Sequence, residues 1–376
     1  MTARRKTPPR PRSRALGEFE RIGRLVAHLP PGEGVVVGPG DDAAVLRPRA
    51  GWDLVATTDA FVEGVHWDPA LVDAGLLGSR LAIANLSDLV AMAAEPRWAL
   101  LSAGLAPGDD IRTMEAVQRS FAAALAAHGA SVVGGNLART RGASWWSVTL
   151  LGEVPHGRAW TRFGARPGDL LAVTGHLGRA GAALRLWQAR GARVAPGASE
   201  PLLRAYLSPP VRVPFARKLA EAGAVTAAID VSDGFAGDLA HLCEASGVGA
   251  LVEETALPAD PALDEAARGL LAPRTKRGAA RPPSSARLAA LVRELRFAPS
   301  DDYELLLAVD PAGRRACVEA ANATDTPLAF VGRFTDAPGV LTLRAADGAE
   351  TPLPGGGWDH FGRTARTGRT KARRSR

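Results

Sequence analysis

Short apolar runs broken by Gly, Pro and Asp alternate along this chain with longer Ala/Leu-rich stretches of helical spacing. Glu18 to Leu29 has the spacing of a short helix. Val35-Val36-Val37, Ala43-Ala44-Val45-Leu46 and Leu54-Val55-Ala56-Thr57 predict three strands separated by turns. Gly78 to Ala94 predicts a long helix. Between Leu81 and Met92 it is apolar almost all round, the mark of a buried helix. Ile111 to His128 predicts a second helix, with strands after it at Ser131-Val132-Val133 and Trp146 to Leu151. This unit ends near Pro155.

A second unit opens at the turn Arg166-Pro167-Gly168-Asp169 and feeds a strand over Leu170 to Thr174. Helices are expected at 179–190 and 210–223, a strand at Ala227-Ala228-Ile229, a helix near Ala236 to Ser246 and a strand at Ala250-Leu251-Val252. The strand Tyr303 to Val309, a helix from Pro311 and the strand Ala329 to Phe334 complete it. Both units mix strands with helices, so the expected fold class is α/β of the α+β kind: two sheet-plus-helix domains, over 16–156 and 157–362.

Length agrees with two domains, because 376 residues is long for a single core. No run approaches the ~20 apolar residues of a membrane span, and the N-terminus lacks a signal-peptide apolar core. The two cysteines, Cys243 and Cys317, lie far apart and read as reduced thiols of a cytoplasmic protein. The formal charge of +7 misleads. Residues 1–14 carry six Arg/Lys, residues 363–376 carry seven, and Arg268 to Arg287 carries six, all without an acid. Setting those nineteen aside leaves the rest near −12. The basic ends read as solvated, disordered tails and the internal stretch as an insertion, with no specific nucleic acid expected as partner.

That acidic remainder is concentrated. Gly38-Pro39-Gly40-Asp41-Asp42, Thr57-Thr58-Asp59, Asn85-Leu86-Ser87-Asp88 and Ile229-Asp230-Val231-Ser232-Asp233-Gly234 set carboxylates among apolar or Gly-rich neighbours, with no Lys or Arg inside any of them. Desolvating such groups is costly unless something positive lies against them. Taken singly, Asp88 is satisfied as well by a backbone amide or an arginine as by a metal. Taken with Asp42, Asp59 and Asp230, a hard divalent cation with oxygen ligands is the reading they share, and Mg²⁺ fits. Thr57 and Thr58 are ordinary strand residues whose hydroxyls also suit that ion.

Other motifs are weaker. Gly175-x-x-Gly178-x-x-Gly181 lacks dinucleotide-fingerprint spacing and reads as a closely packed strand-to-helix turn. Gly134-Gly135-Asn136 is either a plain turn or backbone that approaches a phosphate. The four lysines are Lys6, Lys218, Lys276 and Lys371; none sits in a Walker A sequence, which excludes P-loop and protein-kinase sites. Seven histidines without metal-type spacing argue against zinc.

The ordered set of segments resembles the thiamine-monophosphate kinase family, in the group that includes aminoimidazole ribonucleotide synthetase and selenophosphate synthetase. The similar stretches are Gly17-Glu18-Phe19, Gly38 to Ala43, Thr57-Thr58-Asp59 with Gly64-Val65-His66, and Asn85 to Leu89 with Met92. They continue through Thr161-Arg162, Ala172 to Gly175, Asp230 to Gly234 with Asp238-Leu239, Asp302 to Leu305, and Gly357 to Phe361. The resemblance covers residues 16 to 362. It implies a homodimer of two-domain subunits that uses ATP and several Mg²⁺ ions to convert thiamine monophosphate to thiamine diphosphate. By position it implies Asp42, Thr57, Thr58, Asp59, Asp88, Asp230 and Asp233 as metal ligands. It implies Gly135, Asn136, Arg162 and Ser232 as ATP contacts, and His66, Asp301 and Trp358 as the thiamine phosphate site, Trp358 offering its ring to the cationic thiamine.

Two departures stand out. The acidic residue usual after the paired glycines is Asn136, which keeps an oxygen but loses a charge, and the hydroxyl residues usual after it are Leu137 and Ala138. The usual Gly-Gly-Glu is Pro299-Ser300-Asp301, a shorter acid. No catalytic side chain is expected beyond the metal ligands, since a phosphate acceptor needs no general base. The rival readings are another ATP-dependent member of the same group and a nucleotide-binding protein without catalysis. A selenophosphate synthetase would want a reactive Cys near a Gly-rich N-terminus, and none precedes Cys243.

Overall fold

The computed structural model describes residues 18–30, 32–190, 200–272 and 283–357. The predicted basic tails, residues 273–282 of the basic insertion and Trp358 lie outside the described residues. The chain divides into two compact units: one runs to Ala159 and takes in Leu207–Ala220, the other comprises Trp160–Tyr206 and the chain from Glu221 onward. The mixed sheet-plus-helix class expected from the pattern holds in both.

The first unit contains α1 (Glu18–Val26), β1 (Val35–Val37), β2 (Val45–Leu46), β3 (Trp52–Val62), α2 (Ala74–Ala91), β4 (Glu95–Leu105), α3 (Ile111–Ala126), β5 (Ser131–Arg139) and β6 (Trp145–Pro155). Its four-stranded sheet has the order β3-β6-β4-β5; β4 and β5 are parallel and the other neighbours antiparallel. β4, α3 and β5 thus form a crossover unit. Asp73 and Asp110 start the two long helices by accepting the amides of Leu76 and Thr113 at 2.9 and 2.8 Å. α2 and α3 pack together, and a Cβ at Gly78 would collide with the Val117 carbonyl, so glycine sets their close approach.

β4 was not legible in the sequence. Its run Trp98-Ala-Leu-Leu-Ser-Ala-Gly-Leu is rich in residues of low strand propensity, and tertiary pairing on both edges overrides that preference. β5 also runs past Gly134-Gly135-Asn136 to Arg139, where a turn was one expectation. A Cβ at Gly135 would run into the Leu101 carbonyl of β4, so this glycine serves strand approach.

An ionic network holds the segment carrying β1 and β2 against the sheet. Glu153 is fully buried, and its carboxylate takes the Arg49 amide and Nε, each at 2.7 Å, and faces Arg97 Nε at 3.1 Å. Arg49 also pairs with Glu95 at 2.8 Å and lies over the Trp52 ring at 3.5 Å. Arg97 pairs with Glu33 at 2.9 Å, and the Trp98 indole donates to the Glu33 carbonyl at 2.9 Å.

The remaining elements are β7 (Leu170–Thr174), α4 (Arg179–Arg190), α5 (Glu200–Leu207), α6 (Val213–Ala220), β8 (Val225–Val231), α7 (Phe235–Ser246), β9 (Gly249–Glu253), α8 (Pro261–Leu271), α9 (Ser285–Phe297), β10 (Glu304–Val309), α10 (Arg314–Ala323), β11 (Leu328–Thr335), β12 (Leu341–Arg344) and β13 (Glu350–Pro352). Of these, α6 packs on α2 within the first unit. The second unit is built on a seven-stranded sheet of order β13-β12-β9-β11-β7-β10-β8. Its core joins Leu171, Val173, Ile229, Val231, Leu306 and Val331 of the sheet to Phe235, Leu239 and Phe297 of the helices.

The Gly175-x-x-Gly178-x-x-Gly181 turn is a packed strand-to-helix junction. Asp302 accepts the amides of Gly178 and Ala180 at 2.5 and 3.1 Å, and the Ser300 hydroxyl accepts the Gly181 amide at 2.9 Å. The amides at the α4 N-terminus are therefore met by a carboxylate and a hydroxyl of the same chain, where a dinucleotide site would place a phosphate. Burial pushes the Asp302 carboxyl up to about 7 against the pull of these donors.

Candidate functional site

β3 sorts the first cluster by its period of two. Thr57, Asp59 and Phe61 share one face, where Phe61 is buried, whereas Thr58 and Ala60 lie on the exposed face. The Thr57 hydroxyl donates to Asp88 Oδ2 on α2 at 2.5 Å, linking positions 31 apart in sequence. Asp88 is the half-buried acid of an otherwise buried helical stretch. One turn earlier the fully buried Asn85 turns its amide onto the Leu81 carbonyl at 2.9 Å. Strand alternation and the helix packed against it thus bring Thr57 and Asp88 together, with Asp59 on the same strand face.

Thr58 points the other way. Its hydroxyl donates to the Val148 carbonyl at 2.9 Å and accepts from Thr149 Oγ1 at 3.4 Å. Register puts Ala60, Ser147, Ser102 and Asn136 in one row across the sheet, so exposed Asn136 belongs to the Thr58 face. Neighbouring threonines of one strand cannot share a face, and the expected ligand set divides accordingly. Asp42 is exposed, and its amide donates to Asp41 Oδ1 at 2.8 Å. His66 Nδ1 accepts the Val62 amide at 3.1 Å, which places the ring proton of a neutral imidazole on Nε2. Its ring lies 5.8 Å from that of Phe61.

In the second unit Asp230 is buried on β8, beside Leu305 of β10. Ser232 and Asp233 follow in the turn to α7. Asp238, in the first turn of α7, accepts both their amides through Oδ2, at 3.1 and 3.0 Å. Burial first and the Asp233 charge second push the Asp238 carboxyl up to about 7, with Arg162 pulling it down. Arg162 is exposed, and its carbonyl accepts the Ser246 hydroxyl at 2.9 Å. Asp238 was quoted in the sequence motif without a role. Its place five residues after Asp233, at a helix start, is the signal that would have found it.

Close backbone contacts gather the loops around this turn. A Cβ at Gly234, where φ is 102°, would meet the Ala298 carbonyl, and a Cβ at Gly237 would meet Gly357. Ser232, Asp233 and the loop that leads to half-buried Asp301 therefore sit in one neighbourhood, together with Gly357. Trp358, the next residue, lies outside the described residues.

In each unit the donors are carboxylate and hydroxyl oxygens, which suit a hard cation and not zinc or copper. Among the described residues no three His, Cys, Asp or Glu side chains converge. The carboxylates therefore occur as smaller groups supplemented by Thr and Ser oxygens. Both cysteines are buried, and burial raises their thiols, Cys243 to about 12 and Cys317 to about 11. Neither is a thiolate near neutral pH, so neither supplies the reactive sulfur that a selenium-transferring enzyme would want.

A cavity of about 330 Å³ lies at the ends of β4 and β5, lined by Leu105, Asp109, Leu137, Ala138 and the guanidinium-bearing Arg21 and Arg139, among others. No residue lining it figured among the expected ligands.

Comparison with known proteins gives a consistent answer. Residues 40–154 match the family of AIR synthase related proteins by its N-terminal domain, and residues 166–343 match by its C-terminal domain. A thiamine-monophosphate kinase of Caulobacter vibrioides is 36% identical over 331 residues, 86% of this chain and 85% of that protein. The crystal structure of thiamine-monophosphate kinase from Stenotrophomonas maltophilia K279a has a TM-score of 0.71 at 32% identity, covering 87% of this chain and 95% of that one. AaThiL complexed with AMPPCP and TMP has a TM-score of 0.67 at 26% identity, covering 92% and 97%.

Proposed function

The chain belongs to the thiamine-monophosphate kinase family of AIR synthase related proteins, and we propose that it transfers the γ-phosphoryl group of ATP directly to thiamine monophosphate. The products are thiamine diphosphate and ADP. The single observation that carries the placement of the chemistry is the Thr57–Asp88 contact, which sets two oxygen donors against the strand face of Asp59.

The acceptor is a phosphate monoester, largely dianionic near neutral pH, so its oxygen attacks without a general base. A P–O bond forms to the acceptor as the bond between the β- and γ-phosphates breaks, and ADP leaves. The obstacle is repulsion between two polyanions. Bound Mg²⁺ would supply the opposing charge, held by Asp59, Asp88 and Thr57, with Asp42, Thr58, Asp230 and Asp233 as further ligands. Exposed Arg162 adds a guanidinium that clamps triphosphate oxygens. Asp238 fixes the amides of Ser232 and Asp233 and so holds the turn that presents both. Gly135, Asn136 and Ser232 face ATP. His66, Asp301 and Trp358 line the thiamine phosphate site. The reaction needs no membrane and takes place in the cytoplasm.

Asn136 gives a sensitive test. Where the ligand shell lacks one charge, cation affinity falls. Asn136→Asp is expected to lower the Mg²⁺ concentration for half-maximal ADP release, and Asn136→Ala to raise it. Equal half-saturation in wild type and both variants would remove Asn136 from the metal shell. A protein that binds ATP but releases no ADP in any variant would support a binding function without catalysis.

The open sheet face supports a homodimer. Leu54 and Leu100 are 52% and 37% exposed there, and a second copy seated on that face would cover them. Light scattering at twice the chain mass is expected; a mass of one chain would remove the dimer from the account.

A further inference from the structure

We infer that Ser246 is the positioning residue of Arg162: its hydroxyl fixes the backbone from which the guanidinium reaches the triphosphate. This inference rests on the kinase reading above, in which Arg162 is a clamp, and it gives a role to a side chain that touches no substrate.

Arg162 lies in a stretch without regular structure between Trp160 and β7. Such a backbone has no ladder of its own, so its polar groups need other partners. Ser246, the last residue of α7, supplies them from 81 to 84 positions away. Its Oγ accepts the amides of Gly164 and Ala165 at 3.2 and 3.1 Å and donates to the Arg162 carbonyl at 2.9 Å. A serine hydroxyl has one hydrogen to give and two lone pairs. All of that capacity is used on the loop 162–165. The same loop is held from its other sides. The Thr161 hydroxyl donates to the Phe163 carbonyl at 2.6 Å, and the Thr161 carbonyl accepts the Ala228 amide of β8 at 2.9 Å. Gly164, with φ at 130°, lies so close to the Thr226 carbonyl that a Cβ would collide with it.

One helix serves both parts of this half of the site. Asp238, in the first turn of α7, holds the amides of Ser232 and Asp233, and Ser246, at the other end, holds the Arg162 loop. The two side chains stand ~12 Å apart along the axis. The end of the helix is itself fixed: Gly247 adopts φ 67°, and its amide donates to the Glu244 carbonyl at 3.2 Å. The charge of Arg162 is felt at Asp238, whose carboxyl it pulls down, so the guanidinium acts toward the Ser232–Asp233 turn. An arginine loses rotamer freedom when it clamps a phosphate, and a loose backbone beneath it would add to that loss at every binding event. Ser246 removes the second part of the loss before the nucleotide arrives.

The test is steady-state kinetics of the full chain, with ATP and thiamine monophosphate varied separately. Ser246→Ala is expected to raise the KM for ATP about five- to tenfold, the worth of the lost hydrogen bonding, with the KM for thiamine monophosphate unchanged. Ser246→Thr keeps the hydroxyl and is expected to restore the wild-type value. Ser246→Cys, a weaker donor and acceptor, is expected to fall between wild type and Ser246→Ala, and it keeps the test decisive should the alanine variant misfold. Arg162→Ala is expected to raise the KM for ATP at least as far, and adding Ser246→Ala to it should change nothing further, because the group that the serine positions is gone. A lower urea midpoint in Ser246→Ala with the KM for ATP unchanged would reduce Ser246 to a structural staple. Effects of the two substitutions that add in full would likewise overturn the proposal, and both results leave the role of Arg162 intact. An unchanged KM for ATP in Arg162→Ala would instead remove Arg162 from the clamp, and the positioning role with it.

Discussion

Asp88→Asn and Asp59→Asn each lower turnover by on the order of 10³-fold at saturating Mg²⁺ while the protein keeps its fold and mass. The argument begins with burial. Asp88 is the half-buried acid of an otherwise buried helical stretch, and the Thr57 hydroxyl donates to its Oδ2 at 2.5 Å. A carboxylate kept in such a place costs desolvation energy, and a bound cation would offset it. Asn preserves the shape and the Thr57 hydrogen bond and removes only the charge, so stability should hold while phosphoryl transfer is lost. Thr57→Val, which removes a donor but no charge, should cost less than either. Measured turnover near wild type in Asp88→Asn would put the cation elsewhere.

Glu153→Ala is expected to destabilise the first unit by about 3 kcal/mol or more, the range for removing one partner of a buried ion pair. Glu153 is fully buried and Arg97 almost so, with side chains 0% and 8% exposed; Arg49, at 30%, contributes less because water screens it. Removing the carboxylate leaves the Arg97 guanidinium largely desolvated and frees the segment that carries β1, β2 and Asp42. Urea unfolding followed by tryptophan fluorescence measures this, since Trp98 donates to Glu33 in the same network. A midpoint equal to wild type would reduce the network to the worth of surface pairs.

Helices and strands with a clear period were legible in the sequence. α3 begins at Ile111 and β7 spans Leu170–Thr174, both as the spacing predicts. β4 was not, because its composition favours no strand and its place between two neighbours decides the matter. α5, α8, α9, β12 and β13 were missed as well: α8 and α9 flank and run into the ends of the basic stretch read as an insertion, and β12 and β13 are four and three residues long, too short to show a period. The candidate site was legible as isolated carboxylates, since an acid among apolar residues is conspicuous in one dimension. Its division was not. That Thr57 faces Asp88 while Thr58 and Asn136 lie on the opposite face follows from strand phase and register, which require the paired strands to be known. Asp238 and the cavity at Leu105 and Arg139 depend on contacts made after folding and left only faint traces in the chain.

The most direct test mixes the protein with ATP, Mg²⁺ and thiamine monophosphate in a single turnover and follows thiamine diphosphate and ADP together. Direct transfer predicts that both form at one rate and in equal amounts, with no ADP formed when the acceptor is left out. ADP that appears without thiamine diphosphate, or neither product from a protein that binds ATP, would contradict the account.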